Sequence, residues 1–119
     1  MTASLQVPLQ ITFRNMPRSD ALDAHIRQKA AKLEEFHPRI TSCRVTVEEI
    51  ARHQHQGREF QIRVDVRAPG HKEFVVNRDH AEDPYVAVRD AFDAMARQLH
   101  EVVAEDVQAK RTGAGKQSV

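Results

Sequence analysis

Residues Ser19 to Ile40, SDALDAHIRQKAAKLEEFHPRI, constrain the fold more than any other stretch of the chain. Leu22, Ile26, Ala30, Leu33 and Phe36 recur at three- and four-residue spacing, which draws one apolar stripe along a helix. Ser19 is placed to cap it, because its hydroxyl can accept from an orphan amide of the first turn. Asp20 and Asp23 stand where the helix dipole favours negative charge. His37-Pro38 should end it, since the residue before a proline is pushed out of the helical region. A helix with one apolar stripe must lie on something, and the segments around it supply a sheet.

Leu5 to Asn15 alternates strictly: Leu5, Val7, Leu9, Ile11 and Phe13 between polar neighbours. Period two means one buried and one wet face. Pro8 cannot donate to a ladder, so this strand belongs at a sheet edge. A second strand spans about Thr41 to Glu49, with Cys43, Val45 and Val47 inward. A third spans about Glu59 to Ala68, with Phe60, Ile62, Val64 and Val66 inward. Pro69-Gly70 is a tight-turn signal. A fourth strand follows over about Lys72 to Asn77, with Phe74 and Val76 inward and Val75 leaving its register open. The first two strands flank a helix, which predicts a parallel pair with a right-handed crossover.

Arg78 to Glu82 reads as a loop into a second helix, with Asp83 as cap and Pro84 as first helical residue. Its stripe is Tyr85, Val88, Phe92, Met95, Leu99, Val102 and Val103, interrupted by Asp106. The expectation is an α+β two-layer domain, β-α-β-β-β-α, with sheet order 1-2-3-4 and both helices on one face. Residues 1–105 form that domain, and residues 106–119 read as a polar, disordered tail.

Composition removes several classes. At 119 residues the chain supports a single core. No apolar run reaches membrane length. The N-terminus has no basic segment followed by an apolar one, so no secretory signal is expected. The single cysteine, Cys43, rules out an internal disulfide and suits a reducing cytoplasm. It reads as a small core residue, not a nucleophile. The net charge is only +1, so a nucleic-acid surface must be a local patch.

The chain has no glycine-rich phosphate loop, no G-x-S-x-G and no H-E-x-x-H, so nothing points to an enzyme or a cofactor. His53 and His55 sit in the polar loop Ala51 to Arg58 without a carboxylate or thiol close by, and no metal site is expected there. What stands out is positive charge along helix edges. His25, Lys29 and Lys32 share one flank of the first helix at about 100° per residue. Lys29 lies near the middle of the stripe and must snorkel outward. Arg89, Arg97 and His100 share an edge of the second, with Asp93 at ion-pair spacing from both arginines. Such edges are either solvated surface or a row of cations for phosphates.

Three stretches in order resemble one family. ITFRN spans Ile11 to Asn15; S-x-A-L and K-A-A-K-L-E-x-F lie within Ser19 to Phe36; D-x-Y-x-A-V-R-D-A-F-D-x-x-x-R-Q-L spans Asp83 to Leu99. Together they are similar to the short ribosome hibernation-promoting factors, also called ribosome-associated inhibitor A or ribosomal subunit interface proteins. The resemblance covers about Leu5 to Leu99. It implies a fold like a double-stranded-RNA-binding domain. It also implies a cytoplasmic, non-enzymatic, cofactor-free protein that binds the small ribosomal subunit and its ribosomal RNA in the mRNA and tRNA channel during stress or stationary phase. Other hibernation factors are possible partners; membrane and DNA are not expected. The family's basic helix positions match Lys29, Lys32 and Arg97, with Arg89 and Arg39 as weaker matches. One departure is plain. Where relatives often carry lysines after R-Q-L, this chain has His100, Glu101 and then Glu105-Asp106, which should weaken phosphate binding. A structured-RNA module, or a protein-interaction regulator of the same fold, is the alternative.

Overall fold

The computed structural model describes residues 8–50, 59–70 and 72–117, and the side chains of Ala81 and of residues 103–117 fall outside that description. The elements run β1 (Leu9–Arg14), α1 (Asp20–Phe36), β2 (Ser42–Ile50), β3 (Glu59–Ala68), β4 (Lys72–Ala81) and α2 (Pro84–Gln117). The sheet order is β1-β2-β3-β4. β1 pairs parallel with β2, as a strand-helix-strand unit requires, and the other pairs are antiparallel. The α+β architecture expected from the alternation is the one observed.

The apolar alternates of the strands face one side. Cys43, Val45, Val47, Ile62, Val64, Val66 and Val76 join Leu22, Ile26, Ala30 and Leu33 of α1 in one buried cluster with α2. Val76 pairs with Val64 on the inner face, which resolves the register left open by Val75. α2 packs over β3 and β4, and α1 lies beside it on the β1 side. The residues α2 buries include Ala87, Ala91 and Ala94 as well as the expected Val88, Phe92, Met95 and Leu99. The alanines let the helix axis approach the sheet and α1 closely, a role that a search for large apolar residues passes over.

Both caps behave as their chemistry suggests. Ser19 Oγ accepts from the Leu22 amide at 3.2 Å. Asp83 Oδ1 accepts from the amides of Tyr85 at 3.0 Å and Val86 at 3.3 Å. α1 stops at Phe36, with His37 as its C-cap. Pro8 stands just before the edge strand β1, and its carbonyl accepts from the Cys43 amide at 3.0 Å.

Several expectations need correction. Leu5 to Val7 lie outside the described residues, and Asn15 is not strand: its φ of 58° puts it in the left-handed region, which asparagine tolerates. Residues 78–81 are not loop. They extend β4 in register with β3, Arg78 opposite Ile62 and Ala81 opposite Glu59. The reason is that β3 offers backbone donors and acceptors there, and satisfying them outweighs the weak strand preference of polar side chains. An edge strand also tolerates exposed charge. Glu82, at φ 66°, then turns the chain into α2. Helical spacing places Phe36 in the apolar stripe, but it is 68% exposed; it is the last residue of α1, past the last buried stripe position at Leu33. Tyr85, at the start of the second stripe, is 40% exposed. The segment expected as a disordered tail continues α2 as helical backbone to Gln117; among the described side chains the last buried one along α2 is Leu99, and Val102 is half-buried. The His53/His55 segment lies outside the described residues. Among the described residues, no helix is long and apolar enough to cross a membrane.

Candidate nucleic-acid interface

The two helices lie side by side on the sheet, and the space between their outer flanks is a groove of about 560 Å³. Its origin is local. The stripe of α1 points Leu33 into the core, which leaves Lys29 half-buried and Lys32 exposed on the flank facing α2. On α2, Phe92 is buried, Ala96 is half-buried, and Asp93, Arg97, His100 and Glu101 stand on the open side. The Ala96 side chain is too short to fill the gap, so the apolar floor of Leu33 and Phe92 is reached from outside.

Three cations therefore meet across one groove: Lys29 and Lys32 from α1, Arg97 from α2. Among the described residues none of the three is held by a carboxylate at ion-pair distance. Ion pairs lie elsewhere, among them Arg18 with Asp20 and Asp23, Arg27 with Asp23, and Arg89 with Asp90. The pairs that spacing suggests for Asp93 do not form. Arg89 approaches Asp90 at 3.6 Å instead, as exposed charges in high dielectric have little to gain from one fixed geometry. Asp93 and Glu101 nevertheless line the same groove, so its walls offer acceptors as well as cations.

The structure divides the sequence-derived candidates. Lys29, Lys32 and Arg97 line the groove. His25, one turn before Lys29, does not. Its ring meets Tyr85 edge-on with centroids 5.2 Å apart, and its Nε2 is enclosed with no hydrogen-bond partner. Burial, helped by the Lys29 charge, lowers its pKa, so the ring is neutral at neutral pH. Arg39 is exposed in the turn after α1, and Arg89 is exposed beside Asp90; neither lines the groove.

Two groove residues escape a reading of the sequence. His37 reads only as a helix stop, yet it lines the groove, and burial together with the nearby His100 lowers its pKa. Phe36 reads as core, yet it lines the groove while staying largely exposed. The signal is present in the chain, since Lys29, Lys32 and Phe36 follow one another at helical spacing. Among the described residues there is no cluster of three or more histidine, cysteine, aspartate or glutamate side chains fit for a metal.

The arrangement resembles known proteins over most of its length. A ribosomal subunit interface protein from Coxiella burnetii superposes with a TM-score of 0.70 at 17% identity, covering 82% of this chain and 99% of that one. The N-terminal domain of Thermus thermophilus Protein Y superposes with a TM-score of 0.63 at 19% identity, covering 78% of this chain and 94% of that one. At these identities the likeness speaks for the fold. No curated protein matches the chain. The sequence itself matches the family described as sigma 54 modulation protein / S30EA ribosomal protein over residues 9–104, a span that takes in the whole sheet, α1 and every groove residue named above. The chain thus belongs to the sigma 54 modulation protein / S30EA ribosomal protein family.

Proposed function

We propose that this chain is a ribosome-binding translation inhibitor that docks on the small subunit, in the channel used by mRNA and tRNA, through the groove between α1 and α2. The observation that carries the reading is the meeting of Lys29, Lys32 and Arg97 across one groove, with no carboxylate at ion-pair distance among the described residues, in a member of an S30EA ribosomal protein family. Cations of this kind are the groups that phosphates recruit, because binding releases the counterions condensed on the RNA. This is a binding protein and not an enzyme, as its family is. Its place is the cytoplasm, with the ribosome, and silencing accompanies stress or stationary phase, in keeping with the hibernation-factor resemblance of its helices.

The test is co-sedimentation with purified small subunits at several salt concentrations, paired with in vitro translation. Wild-type protein sediments with the subunit and lowers translation. Replacing Lys29, Lys32 and Arg97 together by glutamine weakens binding and lowers the salt slope by up to about three, one for each phosphate that is no longer neutralised. Binding of the triple variant indistinguishable from wild type at every salt would falsify the groove assignment. Tighter binding to a plain RNA duplex than to the subunit would favour a general structured-RNA module.

A further inference from the structure

We infer that the groove takes an unpaired nucleotide, with Phe36 as the platform on which its base stacks. The inference rests on the ribosomal RNA reading above and adds a ligand unit to it. Three observations converge. Phe36 is 68% exposed, the most exposed large apolar side chain among the described residues, and it lies at the groove instead of scattered on the surface. The floor beneath it is apolar, from Leu33 and Phe92. The walls carry both signs: Lys29, Lys32 and Arg97, but also Asp93 and Glu101.

A site for backbone phosphates alone has no use for an apolar floor, an exposed phenyl ring or two carboxylates. A nucleotide uses all of them. Its phosphate is an anion for the cations, its base is a flat apolar ring for Phe36, and the amino groups on base edges can donate to carboxylates. The volume of about 560 Å³ lies within the roughly 300–1,000 Å³ common for small-ligand clefts. A duplex hides its base faces in the stack, so an exposed ring selects unpaired RNA.

The chain has no tryptophan, which makes Phe36→Trp a single reporter at the site. With small subunits that wild type binds, the Trp emission of this variant is quenched as a base stacks on it. Phe36→Leu binds about tenfold more weakly, the scale of one missing stack, with the salt slope of wild type, whereas removal of a cation lowers that slope. Phe36→Trp retains wild-type affinity. The circular dichroism melt of both variants matches wild type, since the ring is outside the core.

Unquenched Trp emission on bound subunits overturns the proposal. So does quenching by inorganic polyphosphate as strong as by RNA, because the groove would then respond to charge alone. Wild-type affinity of Phe36→Leu also overturns it. Should wild type fail to bind subunits, the ribosome reading falls by itself. The stacking proposal is then decided with an oligocytidylate of about ten nucleotides, whose bases carry an amino group and whose length is within the usual span of single-strand sites: quenching upholds it and unchanged emission ends it.

Discussion

His25 on α1 and Tyr85 at the start of α2 meet edge-to-face, their ring centroids 5.2 Å apart and their planes at 65°. This contact joins the two helices one turn of α1 before the groove begins at Lys29. It also explains why a histidine on the cationic flank is not a standing cation: packing against the ring removes water from the imidazole and favours its neutral form.

That burial predicts a pH dependence. The pKa of His25 is lowered from its ordinary 6.5, first by burial and then by Lys29; that of His37 is lowered by burial and then by His100. Below 6.5 the unfolded chain therefore binds more protons than the folded one, so stability rises with pH in that window and declines as pH falls through it. Melting temperature should drop between about pH 7 and about pH 5. His25→Phe keeps a ring against Tyr85 and removes the titration, so its drop should be shallower. A parallel decline in both proteins would assign the acid sensitivity to other groups.

The helix starts supply a second prediction. Ser19→Ala and Asp83→Ala each remove a cap whose oxygen receives amide bonds, and each should cost about 1 kcal/mol in urea unfolding. Asp23 is 6% exposed and accepts from Arg27 Nε at 2.6 Å, with Arg18 at 3.3 Å. Its arginine partners are more than half exposed, which screens the pairs. Asp23→Ala should still cost about 1–2 kcal/mol, because it removes charge-assisted bonds and a negative charge from the first turn. A neutral effect would mean that solvent fully replaces the pairs.

Cys43 should be inert in the native protein. It is buried on β2, and burial, with Asp65 adding to it, pushes its thiol up to about 12. Reaction needs the thiolate, so iodoacetamide at mildly alkaline pH should leave the folded chain unlabelled and modify it on addition of urea. Fast native labelling, with no unfolding detected, would contradict the packing of β2 against the helices.

The groove should separate the cations by function. Arg39→Gln and Arg89→Gln change exposed residues that do not line it, and each should leave affinity for small subunits within about threefold of wild type at moderate salt. Lys29→Gln, Lys32→Gln and Arg97→Gln should each lower the salt slope by about one. Equal effects from all five would replace the groove with a diffuse cationic surface.

What the sequence determined by itself is local. The caps at Ser19 and Asp83, the stop at His37-Pro38 and the third strand from Glu59 to Ala68 are all legible in it. Each depends on residues within one turn, or on alternation along one strand. The family resemblance is legible for a similar reason, since each of its motifs lies within a single helix or along the first strand. The tertiary structure decided whatever depends on neighbours far along the chain. β4 runs on to Ala81 because β3 stands ready to pair with it. Phe36 is exposed at the end of α1, past the last buried stripe position at Leu33, which no spacing within the helix reveals. His25 drops out of the cation row because Tyr85 meets it from another helix. Lys29, Lys32 and Arg97 become one site because α1 and α2 pack side by side with Ala96 between them. Charge and periodicity are written in the chain, but the distance between two helices is set only when both bury their stripes on the same sheet.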